Sequence, residues 1–254
     1  MAARLSRRLL IGAALALPVA RPSWASADPV AALKAAFDAE VGGPSAPADR
    51  AARALAAGRE MLLSRLDRPQ AFLLVDRAED PLGQWVHVAV GGPGAFRWEI
   101  LGSGRTSTGR RGRFDHYLTP LGVVEHDGGI LGWRAQGTPN SNGIRGLGVR
   151  GMRIWDFGWR QAQTGWLARP EMREIRLLVH ATDPVHLEPR LGTPASKGCI
   201  RVSSRMNRFL DRHAILDAAY LAAAPSDRRI AALLPPDGTP SPLAGRFVAV
   251  VETA

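Results

Sequence analysis

The chain has a single cysteine, and the residues around it are those that nucleophilic chemistry requires. Cys199 stands in Ser196-Lys197-Gly198-Cys199-Ile200-Arg201, nineteen positions after His180. A deprotonated thiol is a strong nucleophile, and an imidazole is the usual group to take its proton. Gly198 lets a backbone or a substrate approach the sulfur. Arg201 carries a planar fork that can grip a carboxylate through two hydrogen bonds. Each residue also has an ordinary reading: the cysteine as a small buried hydrophobe, the histidine as a structural residue at a strand end, the arginine as half of an ion pair. Metal binding is a poor fit. Cys199 and His180 are two ligands rather than a site, and a third would require His186 to fold back.

Local patterns indicate the elements that position this pair. Ile175, Leu177, Leu178 and Val179 form an apolar run, which predicts a buried strand delivering His180 at its tip. A loop punctuated by Pro184, Pro189, Gly192 and Pro194 then returns the chain to Gly198 and Cys199. Ser203 or Ser204 can cap a helix with Met206, Phe209 and Leu210 on one face. On this reading the thiol lies just ahead of a helix N-terminus. There the macrodipole and free N–H groups would favour the thiolate over the ordinary thiol pKa of about 8.5.

Upstream, Phe72 to Val75, Trp85 to Val90 and Phe96 to Leu101 read as short strands. Gly104 to Gly109 reads as a tight glycine turn, and Thr119-Pro120-Leu121-Gly122 as a turn entering a strand. Phosphate binding by Gly102, Gly104 and Gly109 is a weak alternative, because no helix pattern follows. Four tryptophans, Trp133, Trp155, Trp159 and Trp166, are interleaved with arginines between Gly128 and Pro170. They could wall a cleft or simply pack.

Taken together, His180, Ser196-Lys197-Gly198-Cys199, and the ordered Ser107-Thr108-Gly109 and Thr119-Pro120-Leu121-Gly122 segments resemble the L,D-transpeptidase (YkuD-like) catalytic domain. The resemblance runs from about Pro69 to His213. It implies a mainly β fold, a β-sandwich or barrel with a catalytic loop before a helix, to which this chain adds N-terminal helices. It implies that Cys199 takes an acyl group from a peptidoglycan stem peptide as a thioester, with His180 as base and then acid. The family orients that histidine through a neighbouring backbone carbonyl, here Ala181; Asp183 is the side-chain competitor. Backbone N–H groups of Gly198 and Cys199 would form the oxyanion hole, and Arg201, Ser196 and Lys197 would contact substrate. The acyl acceptor would be a stem amine, an amine of an envelope protein, or water, the last giving an L,D-carboxypeptidase or hydrolase. A non-catalytic peptidoglycan-binding envelope protein is the alternative outside enzymology. No metal or organic cofactor is implied. The departure is Lys197, where the family pattern usually has a second histidine. A lysine there either lowers the thiol pKa as a nearby cation or points away and anchors the loop.

The first 27 residues read as an export signal. Arg4, Arg7 and Arg8 precede an apolar stretch from Leu9 to Ala20, and Ala25-Ser26-Ala27 forms a cleavage site. Ser6-Arg7-Arg8-Leu9-Leu10 further resembles a twin-arginine signal. The expected location is the periplasm, with no stable membrane anchor after cleavage. This segment carries four arginines and no acids, so its removal takes the formal charge from +10 to +6. That charge suits an anionic polymer of the envelope, and export argues against nucleic acid. A lone cysteine in an exported chain forms no internal disulfide. Residues 28–68 read as two alanine-rich helices broken at Gly42-Gly43-Pro44, with Val30, Leu33, Phe37 and Val41 on one face and Leu55, Met61, Leu62 and Leu66 on the second. Residues 69–254 read as the catalytic domain, with an insertion near 214–243 containing helix broken by Pro225.

Overall fold

The computed structural model describes residues 28–80 and 82–253, so the export signal read over 1–27 lies outside the described residues. Helix α1 (Pro29–Glu40) starts where the Asp28 carboxylate accepts the Val30 N–H and Pro29 takes the first turn. Helix α2 (Ala48–Leu62) follows the Gly42-Gly43-Pro44 break. Its buried stripe is Ala54, Gly58 and Leu62, while Met61 is 36% exposed, so the expected face is rotated. Small residues at this spacing let the helix lie close to a sheet.

Three strands then run as a meander: β1 (Gln70–Asp76), β2 (Trp85–Gly91) and β3 (Glu99–Arg105). The third begins later than its apolar run suggests, because the Phe96 N–H closes a turn onto the Pro93 carbonyl. Strand β4 (Gly122–Glu125) leaves the Thr119-Pro120 segment as expected. A second sheet comprises β5 (Trp133–Arg134), β6 (Arg153–Gln163), β7 (Met172–Ala181) and β8 (Ile200–Val202), in that order. Helix α3 (Ser204–Arg212), short helices α4 (Ala218–Ala223) and α5 (Arg228–Ala231) on either side of Pro225, and strand β9 (Phe247–Val251) complete the chain. The first sheet has the order β3-β2-β1-β9-β4, with β9 parallel to β1.

The architecture is therefore mixed α/β with two sheets, compatible with the expected β-rich fold, and helices pack on both sides of the first sheet. Alternation along the strands explains why. Leu73, Val75, Val86, Val88, Val248 and Val250 face one core, which they share with Trp155, Leu177, Val179 and Ile200 of the second sheet. Leu33 and Phe37 of α1 and Phe209 of α3 enter the same core, with the two phenyl rings edge to face at 5.2 Å. The opposite face carries Phe72, Leu74, Ala89, Phe247 and Ala249, and α2 covers it with Ala54 and Leu62. A sheet apolar on both faces needs a helix on its second side, and the N-terminal segment supplies one. Each large side chain so buried is worth about 1.5–3 kcal/mol.

The stretch read as an insertion also packs inward. Tyr220 of α4 accepts the Gly132 N–H and donates to the Ile130 carbonyl. Asp217, just before it, is fully buried and meets Arg153 Nη2 at 3.2 Å and the Trp155 indole N–H at 3.0 Å.

Candidate active site

Parallel pairing of β7 with β8 accounts for the long gap between His180 and Cys199. Parallel neighbours need a crossover of a dozen or more residues. Here the chain leaves β7 after Ala181 and returns at Ile200, with His180 registered opposite Arg201. Val179, Ile200 and Val202 point into the core, so His180, Cys199 and Arg201 fall on the outer face of the second sheet.

The return turn is held by residues distant in sequence. Thr119 is fully buried; its hydroxyl donates to the Gly198 carbonyl at 2.8 Å and accepts the Gly109 N–H at 3.0 Å. Thr108 accepts the N–H groups of Ala195 and Ser196, while Ser107 and Arg201 exchange backbone hydrogen bonds. The Thr106 hydroxyl adds a bond to the Arg201 carbonyl, and the Gln84 amide oxygen takes the Thr108 N–H. Residues 104–109 are thus an extended segment rather than the expected tight turn. Gly104 and Arg105 finish β3, and the next four residues line the turn that carries Cys199. Gly109 is required there because a Cβ would lie 1.8 Å from the Tyr117 carbonyl oxygen. Gly198 is required twice over: its φ is +126°, and a Cβ would meet Ile175 at 2.6 Å.

His180 is buried, and its Nδ1 lies 2.5 Å from the Ala181 carbonyl oxygen. A carbonyl only accepts, so Nδ1 carries the proton and Nε2 is left as the basic nitrogen. Asp183 does not reach the imidazole. Its carboxylate accepts the N–H groups of Arg145, Val185 and His186, and these bonds hold it below the usual carboxylate range. Burial pulls His180 down to about 4, against weaker opposition from the Ala181 bond. Burial also pushes the Cys199 thiol up. The resting pair is a neutral imidazole and a neutral thiol.

The expected dipole-stabilised thiolate is therefore overturned. Strand β8 separates Cys199 from α3 by three residues, roughly 10 Å, whereas a helix dipole acts within its first turn. The helix N–H groups are also occupied, that of Met206 by Ser203 and that of Ser204 by Glu188. The thiol instead lies 3.6 Å from the Arg176 carbonyl. Among the described residues no hydrogen bond joins Cys199 to His180.

The remaining predicted residues divide by position. Ser196 is fully buried and works inside the turn, accepting the Gly198 N–H at 3.0 Å and donating to the Cys199 carbonyl at 2.6 Å. That bond removes the Gly198 N–H as an oxyanion donor and leaves the Cys199 N–H without an acceptor among the described residues. Lys197 is 63% exposed and pairs with Asp115. This ion pair ties the turn to the segment around Asp115. Arg201 is half-buried and forms no ion pair among the described residues; its only side-chain hydrogen bond there goes to the Ala195 carbonyl at 3.3 Å. The tryptophans separate as well. Trp155 is core, Trp159 is 60% exposed, and Trp166 stands edge to face with Tyr117 behind the turn. No group of three metal-ligating side chains occurs among the described residues.

Sequence reading missed Thr119 as the bridge between segments, Gln84 beneath it, and Arg176 with buried Asp156 at 2.7 Å beside the thiol. Thr119 was visible only as part of a turn motif. The other two lack any local signal. The chain matches no family model, and no curated protein matches it.

Two predictions follow from the titrating groups. Lys197→Met should leave the midpoint of Cys199 alkylation against pH unchanged; a clear upward shift would mean that the lysine acts on the sulfur. The second concerns His180 and His87, both held at about 4 by burial against an ordinary 6.5. The unfolded chain protonates them near pH 6.5, whereas the folded chain resists until about pH 4. Their stabilisation is present above pH 6.5 and is lost as pH falls to about 4. Tm should drop across that window, and less steeply in His87→Leu. A Tm that stays flat there would contradict the buried neutral imidazoles.

Proposed function

We propose that this chain is an exported cysteine acyltransferase of the L,D-transpeptidase (YkuD-like) type, acting on peptidoglycan stem peptides. The observation that carries the reading is the meeting of three separate motif segments at one turn. Thr119 ties Gly109 to Gly198, next to Cys199, with a single-tautomer His180 on the same sheet face. A specific β-sandwich of that family would suit the two-sheet core.

In this mechanism the thiol rotates from the Arg176 carbonyl toward His180. Nε2 takes the Sγ proton as sulfur attacks the amide carbonyl. The Cys199 N–H receives the developing oxyanion, a donor of the kind worth about 3–4 kcal/mol. The C–N bond then breaks, and the imidazolium returns its proton to the departing amine. An imidazolium held near 4 is a strong acid for this step. The thioester finally passes its acyl group to an amine of a stem or of an envelope protein, or to water. Arg201, free of any internal carboxylate among the described residues, is placed to hold that of the substrate.

Intact-protein mass spectrometry tests the proposal. Wild type incubated with a tetrapeptide stem or a carbapenem should gain a covalent adduct, and Cys199→Ala should gain none. The resting contact of the thiol with Arg176 favours a second reading, a non-catalytic peptidoglycan binder. Absence of any adduct on the wild type would select it.

A further inference from the structure

Next to the turn that carries Cys199 is a cavity of ≈ 610 Å³ whose lining, among the described residues, includes Arg110, Arg113, Arg190, Lys197 and Arg201 and no carboxylate. Such a concentration of one sign is unusual in this molecule, where Arg134, Arg153 and Arg176 each meet an aspartate. Lys197 is held by Asp115, but the four arginines make no ion pair among the described residues. Arg201 Nε is buried and has no hydrogen-bond partner among the described residues. His116, also in the wall, is held below its ordinary value by burial and by the charges of Arg113, Lys197 and Arg110, so these cations converge on one space. Gathering unpaired guanidinium groups costs free energy through mutual repulsion, and an anion in the cavity would offset it.

We propose that this cavity binds a peptide carrying two carboxylates, one held by Arg201, two residues after Cys199 in the chain, and the second by Arg110, Arg113 and Arg190. The choice of a peptide rests on the acyl-transfer reading of Cys199; the anionic character rests on the lining alone. A single carboxylate on Arg201 would leave the other three arginines uncompensated. Arg113 and Arg190 are exposed, as a site that admits a long acidic ligand from solvent would require.

Calorimetric titration of the full-length Cys199→Ala protein at low salt tests this. The ligands are two synthetic tetrapeptides with a free C-terminus, one of which carries an additional glutamate carboxylate, and inorganic tripolyphosphate. The second carboxylate should tighten binding about tenfold, and the gain should shrink as salt rises. Arg110→Gln combined with Arg113→Gln should abolish the gain while keeping the affinity for the monocarboxylate. Arg201→Gln should weaken both peptides. Equal affinity for the two peptides, or an undiminished gain in the double variant, would overturn the proposal. Tripolyphosphate binding much more tightly than the dicarboxylate would overturn it in favour of a phosphate site. The assay uses protein without the thiol, so failure of acyl transfer in wild type would leave a positive result standing, and the reverse also holds.

Discussion

His180→Gln is expected to slow acylation of Cys199 by about 10²- to 10⁴-fold, the usual contribution of a positioned acid–base group. Glutamine fills similar space but cannot accept and return a proton. The variant also distinguishes two designs. If the resting enzyme held a thiolate–imidazolium pair, alkylation by iodoacetamide would show a reactive plateau well below neutral pH, lost in the variant. Burial drives both groups toward neutrality, so wild type should show a single ionisation above the ordinary thiol value, and the variant should keep that midpoint. A plateau between pH 5 and 7 in the wild type would refute the neutral pair, and an acylation rate unaffected by the substitution would remove His180 from the mechanism.

Asp217→Ala should be the most damaging single change to stability, about 3–5 kcal/mol, because it leaves Arg153 buried with no counter-ion. Both side chains are fully buried, and Trp155 loses its indole acceptor in the same step. Chemical denaturation measures the loss. Asp49→Ala, which breaks an exposed pair with Arg53, serves as the control and should leave the transition nearly where it is. Replacing both members, Arg153→Met with Asp217→Leu, should recover much of the loss, because no charge is then stranded. A single Asp217→Ala that unfolds like wild type would show that the pair contributes nothing.

What could be read in the sequence was what neighbours in sequence decide. The strand ending at His180 is announced by Ile175 to Val179, and α3 by Ser203 and the spacing of Met206, Phe209 and Leu210. These patterns depend on a few adjacent residues. The state of the thiol was not legible. It turns on β8, three residues that carry no periodicity yet move Cys199 out of reach of the helix. Thr119 acts on partners ten and seventy-nine positions away, and Arg153 on one sixty-four away. Hydrogen bonds of such separation leave no local trace in composition. The stretch near 214–243 was read as an addition of unassigned role because nothing in it signals that Asp217 and Tyr220 reach beneath β6.

The position of β9 also bears on the order of events during synthesis. It lies between β1 and β4, so the strand made after all the others fills an interior position of the first sheet. A nascent chain that has not yet delivered Phe247 to Val251 has β1 open along one edge and β4 without its partner. The first sheet therefore cannot be completed until β9 has been made. Its completion waits on contacts that span most of the sequence. Chains truncated before Phe247 should be more protease-sensitive than the full chain, most of all around β1 and β4.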